Sequence, residues 1–295
     1  MRVLVTGAAG FLGSHLVDRL LADGHTVTAV DDLSTGRLDR LAAARAVGGL
    51  SFSRASVLDD ALPALVARAR PEVVCHLAVT RGTALEEVRG NVVGTAAVLA
   101  AAEAAGVRKL VLASDAAVYG RPRRQPVSER AGLAPRTAYA ASRAAELVVL
   151  EPASVATTSL VLGRVYGPRQ DTGAVAMMAR ALVGGRPATV FGDGRTVRDW
   201  LYVDDAVDAI VRATGERADG RRLNVASGRG LSVEALQEAL ADATGTRLPV
   251  DRAPAIPGEL RSLVLEVGAA RRALGWEPFT ALPVGLAATV AALRG

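Results

Sequence analysis

Short apolar runs alternate with amphipathic stretches along the first half of the chain. Val3–Val5 is apolar and ends at a glycine, and leucines recur at helical spacing from Phe11 to Ala22. Gly24 ends that helix, and Thr26–Val30 predicts a second strand. Further strands are predicted at 73–77, 110–113 and 159–162, and further helices at 61–69, 91–105 and 138–150. This order predicts an α/β fold built on a doubly wound parallel sheet.

The pattern changes after about residue 166, where prolines and glycines interrupt the apolar periodicity. Short helices such as Val233–Ala243 fill the intervals. The chain is therefore predicted to have two parts. Residues 1–165 are predicted to form the sheet domain, and residues 166–295 a smaller C-terminal substrate lobe. The prediction allows some segments of the second part to pair with the sheet of the first.

Composition narrows the functional classes. The 295 residues are 50% apolar and 22% charged, which favours a folded chain with a sizeable core. Only 3% are aromatic, and the net charge of +5 comes from scattered arginines, so nucleic acid is not an expected partner. One cysteine and three histidines make a metal site unexpected. No apolar stretch approaches the roughly 20 residues of a membrane helix, and no secretory signal opens the sequence, so a cytoplasmic protein is expected.

A glycine-rich turn joins the first strand to the first helix. Gly7–Gly13 has the spacing G-x-x-G-x-x-G, which permits a tight turn and a close backbone approach to a pyrophosphate at the helix N-terminus. Asp31 closes the next strand, where a carboxylate binds ribose hydroxyls and repels a 2′-phosphate. The turn predicts a dinucleotide site. Asp31 favours NAD, while Ser34 and Arg37 lie near enough to keep NADP open.

Further motifs run along the whole chain: Thr6–Gly13, Asp31–Gly36, His76–Ala78, Asn91–Thr95, Val118–Gly120, Tyr139–Arg143, Val165–Arg169, Arg198–Asp205, Asn224–Gly228 and Leu274–Trp276. With these the chain resembles the extended short-chain dehydrogenase/reductase family, in its nucleotide-sugar epimerase/dehydratase branch. The resemblance implies a Rossmann-type fold, with a dinucleotide on the first domain and a substrate between the lobes. It also implies a homodimer through helices 91–105 and 138–150, although the second is short here.

The resemblance assigns residues to each ligand. Those implied for the cofactor are Gly7, Ala9, Gly10, Phe11, Leu12, Gly13, Asp31, Asp32, Ser34, Arg37, Ser56, Val57, Leu77, Ala78, Asn91, Tyr139 and Arg143. Those implied for the substrate are Thr80, Arg169, Arg195, Arg198 and Arg261.

The implied catalytic group departs from the family pattern. Tyr139 stands at the position of the family's acid/base tyrosine, but Arg143 replaces the lysine four residues later. Ser114 and Asp115 stand where a Ser or Thr orients the substrate oxygen, and a carboxylate near the phenol raises the pKa of Tyr139. The late R-x-G-E motif reads Ile256–Glu259 and lacks its arginine.

These departures lead to three hypotheses. A poorly activated tyrosine impairs a ketone reductase least, so the first is an NAD(P)H-dependent ketoreductase with an atypical site. Its substrate would be a natural-product ketone, either a polyketide of an antibiotic pathway or a nucleotide-linked 4-keto sugar. The second is a nucleotide-sugar 4-epimerase or dehydratase that tolerates Arg143. The third is a dinucleotide-binding protein without catalytic activity.

Overall fold

The structure is a computed structural model that describes residues 1–256 and 258–294. Its strands are β1 Arg2–Thr6, β2 Thr26–Asp31, β3 Leu50–Arg54, β4 Val73–His76, β5 Lys109–Asp115, β6 Ala156–Leu162, β7 Arg164–Tyr166, β8 Thr189–Phe191, β9 Val197–Tyr202, β10 Arg221–Val225, β11 Gly230–Ser232, β12 Asp251–Ala253 and β13 Ser262–Leu263. Its helices are α1 Phe11–Ala22, α2 Ala42–Val47, α3 Leu62–Ala69, α4 Ala84–Glu87, α5 Gly94–Ala104, α6 Ala138–Val149, α7 Ala174–Val183, α8 Val203–Ala213, α9 Val233–Thr244, α10 Gly268–Leu274 and α11 Leu282–Arg294.

Seven parallel strands form the large sheet, in the order β10-β6-β5-β4-β1-β2-β3. The chain runs outward from β1 in one direction and then returns to β4 on the other side of β1. This reversal opens a crevice at the carboxyl ends of β1 and β4, where ligands bind in open α/β sheets. The predicted doubly wound α/β fold is confirmed.

The side chains of the central strands alternate between two cores, one on each face of the sheet. Val3 and Val5 pack into one core with α1 and α8, and Leu4 packs into the other with α3, α5 and α6. On β4, Cys75 likewise packs into the first core and its neighbour Val74 into the second. Both faces of the strands are apolar because helices cover the sheet on both sides.

The C-terminal half builds a smaller lobe and also completes the large sheet. In the lobe, β9 pairs with β7, β11 and β13, and β8 pairs with β12. Helices α7, α9 and α11 pack there, in the core shared with α1. Strand β10 lies beyond residue 165 but pairs with β6 at the edge of the large sheet. No helix among residues 1–256 and 258–294 is long and apolar enough to cross a membrane.

Most of the predicted elements lie where the sequence pattern places them. Helix α1 has the predicted bounds, and β2 and α6 differ from prediction by one residue at an end. The predicted helix 91–105 is interrupted, because Val88–Val93 is π-helical and α5 begins only at Gly94. A glycine at that point has no side chain to pack against Val57, whose Cγ2 would lie 2.7 Å from an added Cβ.

A buried asparagine ties the end of the large sheet to the loops that cover it. Asn224 is 0% exposed, and its amide nitrogen donates to the carbonyls of Val127 and Glu266 at 2.8 and 3.2 Å. Its amide oxygen accepts from the Tyr119 hydroxyl at 2.7 Å. An apolar side chain at this position would remove all three hydrogen bonds and leave the buried Tyr119 hydroxyl without this partner, while the Val127 carbonyl would keep the backbone N–H of Glu266.

We expect Asn224→Ala to lower the free energy of unfolding by about 2 to 4 kcal/mol, since it removes three hydrogen bonds worth about 1 kcal/mol each and leaves the buried Tyr119 hydroxyl unpaired. Tyr119→Phe removes only one of these bonds and should cost about 1 kcal/mol. Urea denaturation of the two variants beside the unmodified protein measures both losses. Equal stability of Asn224→Ala and the unmodified protein would contradict this role.

Candidate functional site

A cavity of about 300 Å³ opens at the carboxyl ends of β1, β2 and β4. The predicted cofactor residues that line it are Gly7, Gly10, Asp31, Asp32, Ser34, Ser56, Val57, Leu77 and Ala78. Thr80, which was predicted to contact substrate, lines this cavity as well. We call it the nucleotide cavity.

The glycine turn gives the nucleotide cavity the shape that a dinucleotide needs. Gly7 has a φ of +68°, and a Cβ on it would lie 2.7 Å from the Ala78 nitrogen. A Cβ on Gly13 would lie 2.0 Å from the Gly7 oxygen, so the helix can approach the turn only without a side chain there. Gly10 precedes α1 and has no side chain to cap it, which leaves the first N–H groups of the helix for an anion.

Asp31 lies at the rim of the nucleotide cavity and is 7% exposed. Its carboxylate accepts from the backbone N–H groups of Ala9 and Leu33 at 2.9 and 2.8 Å. Burial raises the pKa of Asp31, and these two hydrogen bonds oppose the rise. A dinucleotide with free ribose hydroxyls fits this carboxylate, and a 2′-phosphate would meet its negative charge.

A second cavity, of about 360 Å³, lies beyond β5 and β6 and contains the predicted acid/base residue. Tyr139 and Asp115 line it, together with Arg198 from the smaller lobe. We call it the tyrosine cleft. The loop after β4 separates the two cavities, because Thr80 lines the nucleotide cavity and its neighbour Arg81 lines the tyrosine cleft.

The phenol of Tyr139 lies among charged groups of both signs. Its hydroxyl donates to Asp115 Oδ2 at 3.5 Å, and the Arg81 guanidinium lies 3.8 Å from the centre of its ring. Burial raises the pKa of Tyr139 to about 12, and Asp115 adds to the rise. The positive charges of Arg143 and Arg81 act against it. In the protein alone the phenol is therefore protonated at neutral pH.

Arg143 does not reach Asp115. Its side chain is buried and pairs with Glu146, with 2.6 Å between Nη1 and Oε1. Its Nη2 donates to the carbonyl of Ala113. Ser114 donates its hydroxyl to the Arg143 carbonyl at 3.3 Å and is 3% exposed, so it does not line the tyrosine cleft. Of the four predicted catalytic residues, the structure brings Tyr139 and Asp115 together at the cleft surface.

Other predicted cofactor residues lie behind the surface of the nucleotide cavity and do not line it. Asn91 is 0% exposed, and its amide holds the backbone of Thr80 and the hydroxyl of Ser142. Phe11 packs edge-on against His15 beside the core, and Leu12 also packs there. None of Ala9, Phe11, Leu12 and Gly13 lines the nucleotide cavity with Gly7 and Gly10.

Several predicted arginine contacts lie elsewhere. Arg37 pairs with Asp39, and Arg169 lies 2.7 Å from Asp18. Both arginines line a separate cavity beside α7 and α11. Arg195 and Arg261 are exposed and do not line the tyrosine cleft. The sequence predicts Arg37 at the cofactor and Arg169, Arg195 and Arg261 at the substrate. None of the four lines the nucleotide cavity or the tyrosine cleft.

Three arginines of the tyrosine cleft were not predicted: Arg81, Arg136 and Arg164. Arg81 follows β4 by a short loop, and Arg164 lies just after the carboxyl end of β6. The rule that ligands bind at the carboxyl ends of parallel strands would have indicated both. Within the described part of the chain, no group of three or more His, Cys, Asp or Glu side chains could hold a metal ion.

Comparison with known proteins agrees with this geometry. Residues 3–226 match the NAD dependent epimerase/dehydratase family. A UDP-glucose 4-epimerase of Mycolicibacterium smegmatis is 42% identical over 309 residues, covering 100% of this chain and 99% of that protein. The crystal structure of UDP-glucose 4-epimerase from Thermotoga maritima, with UDP-glucose, has a TM-score of 0.94 at 32% identity and covers 100% of this chain and 99% of that one.

A second solved structure adds the cofactor. UDP-glucose 4-epimerase from Thermus thermophilus, in complex with NAD, has a TM-score of 0.91 at 34% identity, with 100% of this chain and 99% of that chain covered. NAD is the cofactor of the matched family, in agreement with the expectation from Asp31. The chain belongs to the NAD dependent epimerase/dehydratase family of enzymes.

Proposed function

We propose that this enzyme inverts the configuration at C4 of the hexose in a UDP-sugar, as UDP-glucose 4-epimerases do. The observation that carries the proposal is the 42% identity to such an epimerase along the full length of both chains. It favours the second of the three hypotheses from sequence. Membership of an enzyme family also weighs against a dinucleotide-binding protein without activity.

NAD, when bound, supplies the hydride acceptor and donor for C4. The residues of this chain act on the oxygen of C4. Tyr139 first releases its own phenolic proton to solvent, because only the phenolate can act as a base. The phenolate then accepts the proton of the C4 hydroxyl as the alcohol is oxidised, and the phenol so formed returns it when the ketone is reduced from its other face. Asp115 lies beside Tyr139 and accepts the hydrogen bond of the phenolic hydroxyl when that group is protonated.

The tyrosine cleft also has the charge that a nucleoside diphosphate requires. Arg81, Arg136, Arg164 and Arg198 line it. Of these, Arg198 is paired with Glu259 at 2.7 Å, and Arg81 Nη2 lies 3.9 Å from Asp115 Oδ2. Guanidinium groups bind phosphate oxygens through paired hydrogen bonds. This positive lining offsets the loss of the motif arginine at Ile256, where the chain has an exposed apolar residue.

Reduction of a ketone is the second candidate function. The observation that favours it is the raised pKa of Tyr139, because a protonated phenol suits a proton donor better than a base. The two candidates differ in what they turn over. An epimerase interconverts UDP-glucose and UDP-galactose without net consumption of NADH, whereas a ketone reductase consumes NADH in proportion to product.

We expect Tyr139→Phe to lower the rate of UDP-glucose and UDP-galactose interconversion by at least about 100-fold, because proton transfer by a placed side chain contributes that much or more. The binding of UDP to the variant, measured by calorimetry, should be little changed. Tyr119→Phe is the matched control, since its hydroxyl is bound to Asn224 and lies outside the cleft. Full activity of Tyr139→Phe would remove this residue from the mechanism.

We expect Asp115→Asn to shift the rising limb of the pH–rate profile towards lower pH by about one unit. Removal of the negative charge lowers the pKa of Tyr139, so the base form is available at lower pH. Asparagine keeps the oxygen that accepts from the Ala117 N–H, so the local turn is retained. Asp60→Asn, at an exposed site, is the control for the charge change alone. An unshifted limb in Asp115→Asn would show that another group controls the profile.

A further inference from the structure

An ion pair is buried directly behind the tyrosine cleft. The side chain of Arg143 is 4% exposed and that of Glu146 is 0% exposed, and both lie on α6 one turn apart. Within the described residues, Arg143 Nε and Glu146 Oε2 have no hydrogen-bond partner. Apolar residues of similar size commonly stabilise a fold at least as well as a buried ion pair. Stability therefore gives no reason for this pair.

Four charged groups act on the Tyr139 phenol from the elements around it. Asp115 comes from the end of β5, Arg81 from the loop after β4, and Arg143 and Glu146 from its own helix. His76 on β4 also packs against this set, where burial and the charge of Arg143 lower its pKa to about 3. His76 is therefore neutral, and Glu146 is the acidic group paired with Arg143. Burial raises the pKa of Glu146 to about 7, so it is a carboxylate over the alkaline range in which the phenol titrates.

The smaller lobe presents its own charges across the tyrosine cleft. Arg164 and Arg198 face it from β7 and β9, and Glu259 forms a pair with Arg198. Arg136 lines the cleft just before α6. The charges that act most on the pKa of Tyr139 are those of Asp115, Arg143, Arg81 and Glu146.

We propose that Glu146 is a positioning residue for Tyr139: it holds the Arg143 guanidinium against the end of β5 and offsets part of its charge there. The guanidinium is fixed from two sides, by Glu146 Oε1 and by the Ala113 carbonyl. The carboxylate opposes the effect of Arg143 on the phenol, because it raises the pKa of Tyr139 while Arg143 lowers it. Arginine thereby replaces the expected lysine without making the phenol strongly acidic.

The test follows the isotope-labelled ζ carbon of Tyr139 by NMR from neutral to alkaline pH. The resonance is assigned by its loss in Tyr139→Phe. In Glu146→Gln the unopposed Arg143 should shift the titration towards lower pH, by less than Arg143→Met shifts it in the opposite direction. Arg143→Met should shift it the other way, and the double variant should titrate between Arg143→Met and the unmodified protein, because Arg143 acts on the phenol more strongly than Glu146 does.

Two further measurements distinguish a positioning role from a structural one. Glu146→Asp keeps the charge and should restore the titration towards that of the unmodified protein, even where its melting temperature is lowered. Glu151→Gln makes the same charge change at an exposed site just past α6 and should leave the titration unchanged. A Glu146→Gln protein that titrates like the unmodified one, or a double variant that shifts as far as Glu146→Gln alone, overturns the proposal.

The role of Glu146 depends on the proposed epimerase function only in experiments that measure activity. The NMR titration needs no substrate, so it holds or fails whatever reaction the enzyme catalyses. If the protein is an epimerase, the rising limb of its pH–rate profile should move with the NMR titration in Glu146→Gln. Epimerisation with an unmoved limb would overturn the role of Glu146 and leave the proposed function standing.

Discussion

The close approach of the first helix to the first strand is the constraint on which the site depends. No Cβ fits at Gly13, because it would lie 2.0 Å from the Gly7 oxygen, and this lets α1 begin directly over the crevice beside β1. The helix N-terminus then points its unpaired N–H groups along the edge where β2 and β4 also end. Asp31 and Ala78 are brought to the same edge by the parallel register of these strands with β1.

Much of this arrangement could be predicted from sequence because it is local. The period of apolar residues fixes α1 at its observed bounds, and the glycine spacing fixes the turn before it. The sequence does not determine that β10 joins the large sheet, because the pairing of β10 with β6 brings together residues that are far apart in the chain. Periodicity carries no information on which distant strands pair.

The positions of the arginine side chains were harder to predict from sequence than the strands and helices. Arg169 and Arg198 both lie in motifs typical of the family, yet only Arg198 lines the tyrosine cleft. Arg169 has a φ of +66°, a left-handed conformation that a motif does not reveal. The partner of Arg143 was equally hidden, because Glu146 lies one turn further along the same helix rather than in any recognised motif. Side-chain direction depends on the packed environment, which sequence spacing does not specify.

Asn91 links the parts that would handle the two ligands. Its amide binds the Thr80 backbone on one side and the Ser142 hydroxyl on the other, and Ser142 donates in turn to the carbonyl of Tyr139. The wall between the cavities and the helix that carries the phenol are thus joined by one set of hydrogen bonds. An engineer who wishes to enlarge the cleft would do better to alter the smaller lobe, since a change to these hydrogen bonds also disturbs the wall of the nucleotide cavity.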